Sequence, residues 1–178
     1  MRVIAGTWGG RRLKAPPGAA TRPTSDRVRE ALFSVLGERV AGARVLDLYA
    51  GSGALGIEAL SRGAESAVFV DTAPAALKAI RANLDALGAA AEVRRADARR
   101  FLGSASADAR QYDLVFLDPP YRLAERLGRE LSEALPPVLA PGAVVVAESD
   151  RRTPLHIELP LHDERRYGDT LIRIHGSR

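Results

Sequence analysis

The chain contains 178 residues, of which 46% are hydrophobic and 27% are charged, and its formal net charge is +4. This length fits one domain with a short extension, and the composition excludes a disordered or fibrous chain. Because the sequence has no cysteine and no long apolar run, it excludes disulfide frameworks, thiol nucleophiles and cysteine-ligated zinc. We expect a cytoplasmic protein without a membrane segment.

The positive charge is concentrated in residues 1–36, which we call the head. The head carries seven basic and two acidic side chains, a net charge of +5, and the rest of the chain sums to −1. Arginine presents a planar set of donors that suits phosphate, so the head predicts a polyanionic partner such as nucleic acid, with a solvated charged face as the alternative. The residues expected to contact nucleic acid are Arg2, Arg11, Arg12, Lys14, Arg22 and Arg27.

The head is predicted to form a hairpin and a helix. Residues 2–14 hold two β-tolerant segments on either side of a glycine-rich turn, and a proline-rich link follows them. Thr24 or Ser25 can cap the next helix, Asp26 lies favourably in its first turn, and Gly37 supplies a stop. We therefore place a basic extension at residues 1–37 and a second domain at residues 38–178.

From residue 44 onward, short apolar runs alternate with stretches of helical periodicity, which predicts an α/β fold with a mostly parallel sheet. The predicted strands are 45–48, 67–71, 92–94, 114–117 and 143–147, and the predicted helices are 54–61, 73–87 and 124–135. Residues 103–111 are expected to form a surface loop. Two further strands, 155–159 and 167–175, have no helix between them and are expected to form an antiparallel hairpin.

A glycine loop, Gly51–Gly56, follows the first predicted strand and opens a helix, which is typical of nucleotide-cofactor sites. Asp71 lies 20 residues after Gly51, where a carboxylate can accept the hydroxyls of an adenosine ribose. These features fit a nicotinamide or flavin as well as S-adenosylmethionine. Asp47 beside the loop and Asp97 after the third strand favour S-adenosylmethionine, because they suit its cationic groups and adenine amine; the alternative role of both is loop capping.

A second motif, Asp118–Tyr121, reads Asp-Pro-Pro-Tyr and follows the strand 114–117. Its carboxylate and the Pro119 carbonyl are acceptors, the prolines stiffen the turn, and the tyrosine offers a face for stacking. Together these groups suit a flat base with an exocyclic amine, such as a flipped nucleobase. The alternative is a rigid turn with an incidental aromatic residue.

Four segments carry a resemblance to a known family: Leu46–Gly63, Asp118–Tyr121, Arg22–Phe33 and Tyr167–Thr170. They resemble the bacterial 16S ribosomal RNA guanine-N2 methyltransferases of the RsmD type, and the similarity extends over nearly the whole chain. The resemblance implies a Rossmann-like class I methyltransferase fold, with a seven-stranded mostly parallel sheet and a C-terminal antiparallel hairpin. It also implies methyl transfer from S-adenosylmethionine to the N2 amine of one guanine.

The expected site follows from the motifs and the resemblance, with no metal in it. The expected catalytic residues are Asp118, Pro119, Pro120 and Tyr121. The expected cofactor contacts are Asp47, Tyr49, Ala50, Gly51, Ser52, Gly53, Asp71, Thr72, Asp97 and Ala98. The expected partner is 16S ribosomal RNA within a small-subunit particle or assembly intermediate, bound by a monomer.

Other functions stay open at this point. The same motifs fit an amino-methyltransferase acting on another RNA, or on adenine N6 or cytosine N4 of DNA, although little chain is left for a DNA-recognition domain. A nicotinamide-dependent oxidoreductase is disfavoured because Asp47 repels a pyrophosphate and because His156, His162 and His175 are expected at the surface. An RNA-binding factor without turnover is the non-enzymatic alternative.

Overall fold

The computed structural model describes residues 1–17, 25–120 and 124–176. The helices are α1 Asp26–Leu36, α2 Ala54–Ser61, α3 Pro74–Leu87, α4 Ala98–Ala107 and α5 Ala124–Ala134. The strands are β1 Arg44–Leu48, β2 Ser66–Asp71, β3 Glu92–Arg95, β4 Tyr112–Leu117, β5 Leu139–Asp150, β6 Leu161–Tyr167 and β7 Thr170–Gly176. Within the described residues, no helix combines the length and apolarity needed to span a membrane.

The strands form one seven-stranded sheet in the order β3-β2-β1-β4-β5-β7-β6. Strands β1 to β5 pair in parallel, whereas β7 runs antiparallel to both β5 and β6. The chain moves outward from β1 to β3 and then returns to the other side of β1 with β4. The carboxyl ends of β1 and β4 therefore flank the point where the strand order reverses, which is where open α/β sheets bind ligands.

Each face of the sheet is covered by its own apolar layer. One layer contains residues of α1, α2 and α3, including Phe33 and Ile80, packed on β-strand residues such as Phe116. The opposite layer contains residues of α4 and α5, including Leu102 and Leu131. Because both faces are covered, the central strands β1, β2 and β4 are mostly apolar, whereas the edge strand β3 is mostly charged.

The head shares the core of the sheet. Val3, Leu13 and Phe33 are buried in the same cluster as the strand residues. The carboxylate of Glu58 on α2, which is fully buried, accepts the backbone N–H groups of Ile4 and Ala5 at 2.7 and 3.1 Å. The basic segment is therefore fixed to the sheet through α2.

Asn83 and Ser61 extend this attachment. The side chain of Asn83 on α3 accepts the backbone N–H of Lys14 at 2.8 Å and donates to the Lys14 carbonyl at 3.0 Å. The Ser61 hydroxyl accepts the Trp8 N–H and donates to the Ala5 carbonyl. Between these contacts the hairpin is short, with a single antiparallel bridge that joins residues 2 and 12.

Most sequence-based boundaries are confirmed, but α4 and β6 were not predicted, the predicted strand 167–175 includes the turn at residues 168–169, and two further segments are wrong. The predicted α2 has the observed ends, and Ser25 caps α1 by accepting the Val28 N–H, with Gly37 at its other end; Thr24 lies outside the described residues. Residues 155–159 are not a strand, because the hairpin is built from β6 and β7. Residues 103–107 belong to α4 and are not a loop.

Candidate active site

A cavity of about 680 Å³ opens at the carboxyl ends of the parallel strands, within the size range of small-molecule sites. It is bordered by the glycine loop, the ends of β2, β3 and β4, and the start of α5. The expected site residues that line it are Asp47, Tyr49, Ala50, Gly51, Ser52, Asp71, Thr72, Asp97, Ala98, Asp118, Pro119 and Pro120. Tyr121 and Arg22 lie outside the described residues.

The glycine loop lets α2 begin close to β2. Gly53 caps α2 in the left-handed region, at φ 78°. A Cβ atom at Gly56 would lie only 2.4 Å from Cε1 of Phe69, so a larger residue would clash with the β2 ring. Gly53 therefore forms the turn into α2, and Gly56 allows α2 to pack closely against β2.

Asp71 connects the glycine loop to β2. Its Oδ2 accepts the Gly51 N–H at 2.9 Å, and its Oδ1 accepts the Ala73 N–H at 2.8 Å. Each carboxylate oxygen can accept a second hydrogen bond, so two lone pairs remain for the hydroxyls of a ribose. Asp71 thus shapes the loop and lines the cavity at the same time.

Asp97 caps α4, which is the capping role that the sequence offered as the alternative, and it also lines the cavity. Its Oδ1 accepts the N–H groups of Arg99 and Arg100 at 3.0 and 3.4 Å. The side chain is exposed at the cavity rim. Both of these hydrogen bonds use Oδ1, which is compatible with a hydrogen bond from an adenine amine to Oδ2.

Asp47 is a buried carboxylate at the floor of the cavity, only 2% exposed. Its Oδ2 accepts the Gly56 N–H at 2.9 Å. Burial raises the pKa of Asp47 to about 8, the hydrogen bond opposes this shift, and the charge of Asp71 adds to it. A cationic ligand in the cavity would stabilise the ionised form.

Asp118 continues the same acidic surface at the end of β4. It lies one residue beyond Leu117, which pairs with Ala147 of β5, so Glu148 is its neighbour on the adjacent strand. Successive side chains of a strand point to opposite faces of the sheet. By this alternation Asp47, Asp118 and Glu148 all face the α1–α2 side. Burial and the charges of Glu148 and Asp47 raise the pKa of Asp118 well above its usual value.

Tyr49 lies in a strained backbone conformation between β1 and the glycine loop. Its φ is 61°, a region that residues other than glycine rarely occupy. Burial and the nearby charge of Asp97 raise the pKa of its phenol, so the side chain is neutral at ordinary pH. This backbone conformation turns the chain sharply from β1 into the loop that lines the cavity.

The head residues expected to bind nucleic acid do not form one uniform surface. Arg12, Lys14 and Arg27 are exposed. The Nε of Arg2 is paired with Asp26 at 3.2 Å, and the Nη2 of Arg11 donates to the carbonyl of Ala86 at 2.8 Å. Arg2 and Arg11 therefore also have structural contacts.

Two buried groups near the site were not predicted from the sequence, and one histidine elsewhere was wrongly expected at the surface. Glu148 is 3% exposed and lies beside Asp118, but its strand partner could not be read from one sequence. Arg29 is fully buried and lines the cavity, and its Nη2 donates to Asp26 at 2.8 Å. His175, expected at the surface, is buried, and its Nδ1 lies 3.1 Å from the Leu159 carbonyl.

Residues 1–176 match the family described as conserved hypothetical protein 95. The chain belongs to this family. The Bacillus subtilis protein YlbH is 40% identical over 185 residues, and the alignment covers both proteins completely. The Escherichia coli protein named ribosomal RNA small subunit methyltransferase D is 42% identical over 123 residues, which are 68% of this chain and 61% of that protein. The resemblance noted in the sequence is confirmed by these relatives.

Solved structures agree on the fold. The Thermus thermophilus protein TTHA0928 superimposes with a TM-score of 0.87 at 31% identity, covering 99% of both chains. The T. thermophilus 16S rRNA N2 G1207 methyltransferase, solved with AdoMet and guanosine, has a TM-score of 0.71 at 22% identity. This chain spans 45% of that protein, to which 92% of its residues align. The Rossmann-like methyltransferase fold is thereby confirmed.

Proposed function

We propose that this protein transfers a methyl group from S-adenosylmethionine to the exocyclic N2 amine of a guanine in small-subunit ribosomal RNA. The observation that carries the proposal is the position of Asp118 and Pro119 on the same cavity as the glycine loop and Asp71, on the two sides of the sheet's reversal point. The E. coli relative is named a ribosomal RNA small subunit methyltransferase, which supports ribosomal RNA as the substrate class.

The cavity fits the proposed cofactor by charge and by shape. S-adenosylmethionine supplies a sulfonium methyl group that a nucleophile can displace. Two carboxyl groups with raised pKa, Asp47 and Asp118, face the cavity, and a cation there would offset their desolvation. Asp71 and Asp97 lie further along the same cavity, as an adenosine moiety requires.

The turn at Asp118 and Pro119 would orient the acceptor amine. The Asp118 carboxylate and the Pro119 carbonyl accept its two N–H groups, which directs the nitrogen lone pair toward the methyl carbon. Asp118 would accept the proton that the amine releases, and the bound cofactor would supply the methyl group and keep the electron pair of the broken C–S bond. The raised pKa of Asp118 makes its carboxylate a stronger proton acceptor than an ordinary aspartate.

The head would bind the RNA backbone. Its exposed Arg12, Lys14 and Arg27 can contact phosphates, while Glu58 and Asn83 hold the segment in register with the cavity. Because so small a basic surface reads little base sequence, we expect the substrate to be folded RNA within a small-subunit particle or assembly intermediate, bound by one copy of the chain.

Methyl transfer to small ribosomal subunits that lack the modification tests the proposal. Radiolabel from S-adenosylmethionine should appear at one guanine N2, and Asp118→Asn should reduce turnover by at least about 100-fold. Asp113→Asn, at the other end of β4, is the matched control and should retain activity. Label on adenine or cytosine, or full turnover by Asp118→Asn, would contradict the proposal.

A further inference from the structure

A second group of arginines lies outside the head, although the rest of the chain carries a net charge of only −1. Arg94 and Arg95 end β3, and Arg99 and Arg100 are the second and third residues of α4. All four side chains are exposed. We call these four residues the arginine patch.

The acidic residues nearby do not neutralise the patch. Glu92 is held by Arg110 at 2.6 Å and Arg94 at 2.6 Å, and these contacts lower its pKa to about 2. Asp97 accepts backbone N–H groups rather than guanidinium groups. Among the described residues, no carboxylate forms an ion pair with Arg99 or Arg100. Their charges are therefore available to an external anion.

Local stability does not explain Arg99 and Arg100. A positive charge in the first turn of a helix opposes the helix dipole, typically at a cost of about 0.3–1 kcal/mol. Charged side chains on β3, an edge strand of the sheet, protect it from pairing with other chains. That protection accounts for Arg94 and Arg95 but not for a pair on α4.

The patch lies at the mouth of the active-site cavity. Ala96, Asp97 and Ala98, between the two arginine pairs, line the cavity. The Nε of Arg95 also lies 3.4 Å from the carbonyl of Thr72, another lining residue. The end of the head lines the same cavity through residues 15–17. The head and the arginine patch thus border one opening.

We propose that the arginine patch is a second RNA-backbone contact surface, which binds phosphates of the substrate while the head binds others. This inference rests on the proposed function. Exposed arginines that lack acidic partners, as Arg99 and Arg100 do, suit phosphate, because each contact releases counterions from the RNA. A substrate bound at both surfaces would be fixed across the cavity that receives the target base.

The test compares two double variants with the same change in net charge. Arg99→Gln/Arg100→Gln removes the α4 pair and leaves the backbone N–H groups for Asp97. Arg165→Gln/Arg166→Gln is the control on β6, the opposite edge strand, where both arginines pair with acidic neighbours. Binding of protein-free small-subunit RNA and of small-subunit particles is measured over a range of salt concentrations, and S-adenosylhomocysteine binding is measured by calorimetry.

Loss of two phosphate contacts should lower the slope of log affinity against log salt by about 1.5 and weaken RNA binding about tenfold or more near 0.1 M salt. The control should match the wild type, and both variants should bind S-adenosylhomocysteine normally. If the α4 variant behaves like the control, the inference is wrong. If it binds protein-free RNA normally but particles weakly, the patch contacts a ribosomal protein and the inference is again wrong. A wild-type chain that binds neither ligand would instead refute the proposed function.

Discussion

Asp47→Asn removes a carboxyl group whose protonation is linked to folding. The pKa of Asp47 is about 8 in the folded chain against an ordinary value of 3.8. Between these values the native state holds a proton that the unfolded chain has lost, so stability decreases as the pH rises and levels off above about pH 8. The slope is about 1.4 kcal/mol per pH unit, or about 2.7 kcal/mol from pH 5 to pH 7.

The asparagine variant should lack this slope. Its amide oxygen can still accept the Gly56 N–H, so the glycine loop is retained. Free energies of unfolding would be measured in urea at several pH values, with Trp8, the single tryptophan, as the fluorescent probe. The other carboxyl groups titrate in both proteins, so the difference between variant and wild type reports on Asp47 together with its electrostatic effect on Asp118.

The stability of Asp47→Asn relative to the wild type should therefore increase by about 2.7 kcal/mol from pH 5 to pH 7. A difference that does not change with pH would refute the reasoning about burial. A cationic ligand favours ionised Asp47, so wild-type affinity for S-adenosylmethionine should rise with pH in this window. The variant should show a weaker and flatter dependence.

Substitutions at Gly56, Asn83 and Glu148 test the packing and the electrostatics around the site. Gly56→Ala should lower the free energy of unfolding by about 1–3 kcal/mol because its Cβ meets the β2 ring, whereas Gly103→Ala, which has open space on α4, should be neutral or stabilising in the same urea titration. Asn83→Ala should loosen the head and speed amide hydrogen exchange there; unchanged exchange would contradict its clamping role. Glu148→Gln should lower the pKa of Asp118 and move the acidic limb of the pH–rate profile to lower pH, and an unmoved limb would count against the coupling.

The motifs predicted which residues line the cavity, because strand ends and turn residues carry strong local signals. An apolar run followed by glycine or proline marks where β1 and β4 end, and parallel strands bring these ends to one edge. Asp47, Asp71 and Asp118 therefore meet as expected. The contact between Asp118 and Glu148 depends on which strands are neighbours, and no local pattern records that order.

The C-terminal hairpin shows why apolar alternation can mislead. Leu155 and Ile157 are buried, but they pack near α5, where the Ser132 hydroxyl accepts the Glu158 N–H at 2.8 Å. The true strand, β6, is an edge strand rich in charged residues, with little apolar alternation to reveal it.

Helix α4 was missed although its signal was present. Phe101, Leu102 and Ala105 are buried at helical spacing. Gly103, Ser104 and Ser106 have low helix propensity, so the stretch resembles a loop. Packing against the sheet outweighs that preference.

The attachment of the head to α2 affects how substrate preference can change in this family. Glu58 and Ser61 bind the backbone of the head rather than its side chains, so the arginines can vary without loss of the joint. Loss of the head would leave Glu58 buried with Arg62 as its remaining donor, so a replacement head must present its backbone N–H groups at the same positions. Substrate range should therefore evolve by surface substitutions on a fixed backbone rather than by recombination of a detachable module.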